Sequence, residues 1–137
     1  MTRGTRRILE ALEKIRDGFA EIPRELAHLI LQRAVETAPK RTGRLRKSIR
    51  MRRIRGGYEV SMGGGEAPYA GFLEYGTRGH VIRARRARAL RFEIRGEVVY
   101  AKYVHHPGLK PRRIMAEAVR EASRDLREIA SRILCGG

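Results

Sequence analysis

The sequence predicts an α+β fold, an antiparallel sheet of about four or five strands packed against an N-terminal and a C-terminal helix. Three observations predict it. Near both ends, apolar residues recur at spacings of four and three, the periodicity of one helix face. Two central stretches alternate apolar with polar residues and turn at glycine, the pattern of a hairpin. Proline and glycine stand at the joints, at Pro39, Gly76 and Pro107-Gly108, where each pattern stops. A chain of 137 residues has the length of one domain, so 1–137 is read as a single unit.

The N-terminal helical region spans 5–38. Its stripe runs Ile8, Leu12, Ile15, Phe19, Ile22, Leu26, Leu29 and continues through Ile30, Ala34 and Val35 to Ala38. Pro23 lies inside it and predicts a kink or break near residues 18–22, because proline removes a backbone donor and clashes with the preceding turn. Pro39 ends the element by disfavouring helical geometry at Ala38. The stripe reads as core or subunit contact, ahead of a coiled coil.

Residues 44–104 read as two basic hairpins. In the first, Ile49 and Met51 alternate with Arg50 and Arg52, Gly56-Gly57 turns the chain, and Tyr58, Val60 and Met62 alternate with Glu59 and Ser61. Gly63-Gly64-Gly65 follows; it lacks the lysine and hydroxyl of a phosphate-binding P-loop and reads as a turn. Residues 67–75 suggest a short helix or helical turn carrying Tyr69, Phe72, Leu73 and Tyr75 and stopped by Gly76, with the aromatics packed. Residues 78–88, with Arg83, Arg85, Arg86 and Arg88, suggest an exposed arm. In the second hairpin Leu90, Phe92 and Ile94 alternate with charged residues, Gly96 turns the chain, and Val98, Tyr100 and Val104 lie on the return. A C-terminal helix spans 112–134, with Ile114, Met115, Ala118, Ala122, Leu126, Ile129 and Ile133 on its apolar face.

Charge is uneven. The chain carries 31 Lys+Arg against 15 Asp+Glu, and residues 40–113 alone hold 20 basic against five acidic. A central field of that sign attracts a polyanion or an acidic protein surface. The uncharged run Leu26–Gln32 is far shorter than the ~20 apolar residues of a membrane span, so no membrane association is expected. Acidic and basic residues from Glu10 to Asp17 interrupt what a secretion signal would need as its apolar core. The single Cys135 offers no internal disulfide and no metal cluster, and the chain reads as intracellular.

No reactive constellation emerges. His105 and His106 are adjacent, so on an extended segment they face opposite ways, and neither His28 nor His80 has a partner at metal-ligand spacing. Glu59, Glu66, Glu74, Glu93 and Glu97 form no carboxylate pair of the kind metal-dependent hydrolases use. No serine lies in a nucleophile-elbow context. An enzyme is therefore the least supported class, with no catalytic, cofactor-binding or metal-binding residue expected. The run Arg44, Arg46, Lys47, Arg50, Arg52, Arg53, Arg55 has no acid between Glu36 and Glu59, as a phosphate-reading surface would.

Three segments, in order, resemble the small head-to-tail joining or tail-completion proteins, also called minor tail proteins, of tailed bacteriophages and proviruses. The first is Ala38-Pro39-Lys40-Arg41-Thr42-Gly43-Arg44-Leu45-Arg46-Lys47-Ser48-Ile49. The second is Tyr69-Ala70-Gly71-Phe72-Leu73-Glu74-Tyr75-Gly76-Thr77. The third runs from Ala89-Leu90-Arg91-Phe92 through Val104-His105-His106-Pro107-Gly108-Leu109-Lys110-Pro111 into the last helix. At the opening of that helix Arg113-Ile114-Met115 stands where the family often has Pro-Phe-Leu.

The resemblance implies a structural virion protein, assembled in the host cytoplasm as a homo-oligomeric ring at the neck. Its partners would be the portal-side connector and the tail tube or tail terminator. Pro39, Thr42, Gly43, Leu45, Ser48, Tyr69, Ala70, Glu74, Gly76, Thr77, His106, Pro107 and Gly108 would set its geometry. Arg44, Arg46, Lys47, Arg50, Arg52, Arg53, Arg83, Arg85, Arg86 and Arg88 would face DNA or acidic neighbours. The alternative is a free-standing basic nucleic-acid-binding protein that contacts phosphates.

Overall fold

The computed structural model of the chain describes residues 2–136. The backbone forms two compact units, Met1–Ala70 with Arg113–Gly137, and Gly71–Arg112. The fold is α+β, as expected.

In the first unit, α1 (Arg3–Thr37) begins at Thr2, whose side-chain oxygen accepts from the Thr5 N–H at 3.3 Å, satisfying one of the donors a helix start leaves open. It passes through Pro23 as one element, so of the kink or break expected there, no break occurs. Proline costs the helix one hydrogen bond, whereas the segment around it is held by packing: α1 lies along β2, α4 and α5, and tertiary burial of an apolar face outweighs local propensity. Ala27 and Ala34 of α1 are buried together with Ile114, Ala118 and Ala122 of α4 (Ile114–Arg124). Alanines on facing helices let the two backbones approach closely. Further toward the N-terminus Gly18 meets the far end of α5 (Leu126–Cys135), where an added Cβ would lie 2.9 Å from Leu134 Cδ2.

The single C-terminal helix expected over 112–134 is two helices divided at Asp125. The Asp125 N–H bonds the Ala122 carbonyl three residues back, which tightens the turn. Its carboxylate lies 4.0 Å from Arg33 of α1. Aspartate is a weak helix former, so the helix divides here, with Arg33 beside the division.

A five-residue helix, α2 (Arg44–Ser48), occupies the start of what the sequence predicts as the first hairpin. The hairpin itself is β1 (Arg50–Ile54) with β2 (Gly57–Ser61), paired antiparallel from Arg50↔Ser61 to Ile54↔Gly57.

The second unit opens with the body of α3 (Ala70–Tyr75), shorter than the helix expected over 67–75. Its aromatics do not pack inward: Phe72 and Tyr75 are exposed and Tyr69 borders on exposure. Then β3 (His80–Arg83) pairs with β6 (Tyr103–His106), and β4 (Leu90–Ile94) pairs with β5 (Glu97–Ala101). Three two-stranded sheets thus replace the one sheet of four or five strands. These strands are four or five residues long and largely exposed, so none has the broad apolar face that would recruit a neighbour. Part of the expected arm, residues 80–83, is strand. Val104 belongs to β6 and not to the return of the second hairpin, and the strand runs through His105-His106 before Pro107 stops it.

The Ala84 N–H donates to the Lys102 carbonyl at 3.1 Å, which continues the β3–β6 ladder toward β4–β5. Arg83 faces Tyr103 and Leu90 faces Ala101, so between these two pairs residues 84–89 on one strand oppose Lys102 alone on the other. The surplus must leave the ribbon, as the extra residue of a β-bulge does on a smaller scale. The projecting segment is therefore 84–89.

Candidate functional site

The family-like segments sit where the backbone needs fixed geometry. In the first unit, Pro39 follows the end of α1, where the Ala38 N–H closes on the Ala34 carbonyl at 2.9 Å. Arg46 Nε donates to the Ala38 carbonyl at 3.2 Å, covering an acceptor the helix leaves open. Thr42 Oγ1 accepts from the Arg44 N–H at 3.4 Å, and Gly43, at φ 68°, starts α2 in the left-handed conformation that side chains disfavour. Leu45 and Ser48 are buried. Ser48 Oγ donates to the Leu45 carbonyl at 2.6 Å and accepts from the Gly63 N–H at 3.1 Å. Gly63 in turn lies against Ala70, whose Cβ would be 3.1 Å from an added Cβ. Ser48, Gly63 and Ala70 thus tie the first segment to the start of the second. Tyr69 stays at the surface.

In the second unit the other two segments meet. The Thr77 N–H donates to the Leu109 carbonyl at 2.9 Å, the Leu109 N–H returns to the Thr77 carbonyl at 3.0 Å and also reaches Thr77 Oγ1 at 3.0 Å. Gly76 and Gly108 flank this crossing at φ 72° and 89°. A Cβ on Gly76 would lie 2.5 Å from the Leu109 carbonyl oxygen, and one on Gly108 would collide with the Thr77 carbonyl. Just before Pro107, His106 Nδ1 accepts from the Gly108 N–H at 3.0 Å, and its ring stacks on His80 at 5.1 Å. His105 instead meets the Tyr103 ring edge-on at 5.7 Å, so the two adjacent histidines do separate work. Among the described residues, the buried polar side chains are those of Glu74 and Ser48.

The basic residues fall into two populations. In the β1–β2 hairpin, Arg50 pairs with Glu66 at 2.7 Å, and Arg52 reaches both oxygens of its cross-strand partner Glu59 at 2.9 and 3.1 Å. The hydrogen bond to Arg52, then its charge, holds the Glu59 carboxyl below the usual carboxylate range, and Arg52 is raised correspondingly. Together with Arg46, these residues are engaged inside their own unit, while Arg44, Lys47 and Arg53 remain exposed. In the second unit, Arg83 lies over the Tyr103 ring at 5.5 Å. Arg85, Arg86 and Arg88 stand exposed on the 84–89 loop.

The apolar stripe of α1 is covered along only part of its length. Leu26 faces a cleft lined by Tyr58, Val60, Met115 and Val119, and Leu29 lies in one lined by Ile129 of α5. Upstream, Ile8, Leu12, Ile15 and Phe19 are 62, 56, 46 and 59 % exposed. Spacings of four and three put these four on one seam and Leu9 widens it; α5 flanks Ile15 and the β1–β2 hairpin flanks Phe19, but both leave the seam exposed. Periodicity finds the stripe but carries no sign of where its cover stops. Among the described residues no group of three His, Cys, Asp or Glu is placed to hold a metal ion, and no helix is long and apolar enough to cross a membrane.

Each unit fixes its backbone at a hydrogen-bonded junction, and each exposes apolar and basic side chains. A family model described as "Bacteriophage HK97-gp10, putative tail-component" matches residues 5–76, just over half of the chain, and the chain belongs to that family. Membership gives it a structural role in the phage tail, in contact with other tail proteins as part of the virion. The match takes in the first segment and nearly all of the second and ends before the third. No curated protein and no solved structure matches the chain.

Proposed function

We propose that this tail component is a head-to-tail joining, or tail-completion, protein that acts by binding and not by catalysis. Copies assemble into a ring at the neck, between the portal side and the tail tube, with the seam of α1 as the contact between neighbouring copies. The exposed seam Ile8, Leu12, Ile15, Phe19 carries this reading. An apolar stripe of this length left in water marks an interaction site, and burying each side chain stabilises a contact by about 1.5–3 kcal/mol. The seam also lies within the residues matched to the tail-component family.

The test is the double variant Leu12→Asp with Phe19→Asp. Both positions are exposed, so the monomer keeps its helix content by circular dichroism. Native mass spectrometry at rising concentration is expected to show oligomers of the wild-type chain and monomers of the variant. Oligomers that persist in the variant would remove the seam as the subunit contact.

A further inference from the structure

We propose that the bulge of the second unit, residues 84–89 with Arg83 at its root, is a sequence-independent contact for the phosphate backbone of duplex DNA. The unit Gly71–Arg112 holds ten basic residues against three acidic ones, and all ten basic residues are exposed. Among the described residues, no ion pair involves Arg83, Arg85, Arg86, Arg88, Arg91, Arg95 or Lys102. The ion pairs of the first unit, by contrast, occupy Arg16, Arg24, Arg33, Arg50, Arg52, Arg120 and Arg132. The excess positive charge is therefore densest on this unit, seven over 42 residues against nine over the other 95, and Arg85, Arg86 and Arg88 fall on the segment that the register mismatch turns out of the ribbon.

Chemistry favours a nucleic acid over an acidic protein. The segment 83–89 consists of arginine and alanine alone. A protein interface needs a buried core of large apolar or aromatic anchors, which these residues do not supply. Phosphate contact needs only guanidinium forks. Residues 84–89 form neither helix nor strand, so nothing seats a side chain in a groove to read bases, and the contact is to the backbone. The surface belongs to one copy of the chain, so the inference does not rest on the ring.

The test is fluorescence anisotropy of the full chain with a random-sequence duplex of about 30 base pairs, titrated between about 50 and about 200 mM salt. Arg83, Arg85, Arg86 and Arg88 changed together to Gln should weaken binding alike on unrelated sequences. They should also flatten the dependence of log K on log salt by about 3 to 4, since each neutralised phosphate contributes about 0.9. The same four positions changed to Lys should keep the wild-type slope, which separates lost charge from lost fold. Arg50→Gln with Arg52→Gln should leave it nearly unmoved. A wild-type slope in the four-Gln variant, or no binding at the lowest salt, would overturn the proposal. So would poly-glutamate displacing DNA at equal charge, which would point to an acidic protein surface instead.

Discussion

Ser48 shows how much one hydroxyl can hold. It joins the end of α2 to the loop after β2 by donating to Leu45 and accepting from Gly63. Ser48→Ala leaves the Gly63 N–H without that acceptor, and urea unfolding should show a loss of about 1–3 kcal/mol. Two glycines separate conformation from space. Gly43 has positive φ with nothing within 4 Å of an added Cβ, so Gly43→Ala should cost about 1–2 kcal/mol, the strain of the left-handed backbone alone. Gly76 adds a collision with the strand it crosses, and Gly76→Ala should cost about 3 kcal/mol or more, read from the same denaturation midpoints. The Arg52–Glu59 pair carries a pH signature. Because the folded carboxyl is held below its unfolded value, which is near 4.3 for a free glutamate, the pair stabilises the fold above that value. That contribution fades as pH falls through the folded one. Carbon-detected NMR should place the Glu59 midpoint below the peptide value in the wild type and return it there in Arg52→Gln.

At the scale of elements, the sequence made the helices and both hairpin turns legible. Apolar period and glycine at the turns are local signals, and α1, β1–β2 and β4–β5 follow them. What it did not disclose is set by partners far along the chain. The pairing of β3 with β6 joins residues 20 to 26 positions apart, so residues 80–83 read as an arm when taken by themselves. Asp125 divides the last helix where Arg33, from the other end of the chain, reaches it. Pro23 predicts a kink or break, and packing keeps the helix continuous. The motif residues were visible as words, but only the structure shows that Gly76-Thr77 and Gly108-Leu109 are two sides of one crossing. The same limit applied to charge: Arg50 and Arg52 look as available as Arg85 and Arg86 until Glu66 and Glu59 are found beside them.

At the scale of the whole molecule, the chain combines a small-residue core, an exposed apolar seam and a basic bulge. The first unit buries mainly alanines with Leu45, Ile49, Ile114 and Ile129, a modest core for a helix of 35 residues. A tail component that completes its burial on assembly fits that economy, because the seam exposes in the monomer what a neighbour would cover. The most direct test removes the gene from the phage or provirus that encodes it and images the resulting particles by negative-stain electron microscopy. Filled heads and separate tails that fail to join are expected, with joining restored by the wild-type gene and not by the Leu12→Asp, Phe19→Asp variant. Complete particles at normal yield without the gene would contradict the joining role.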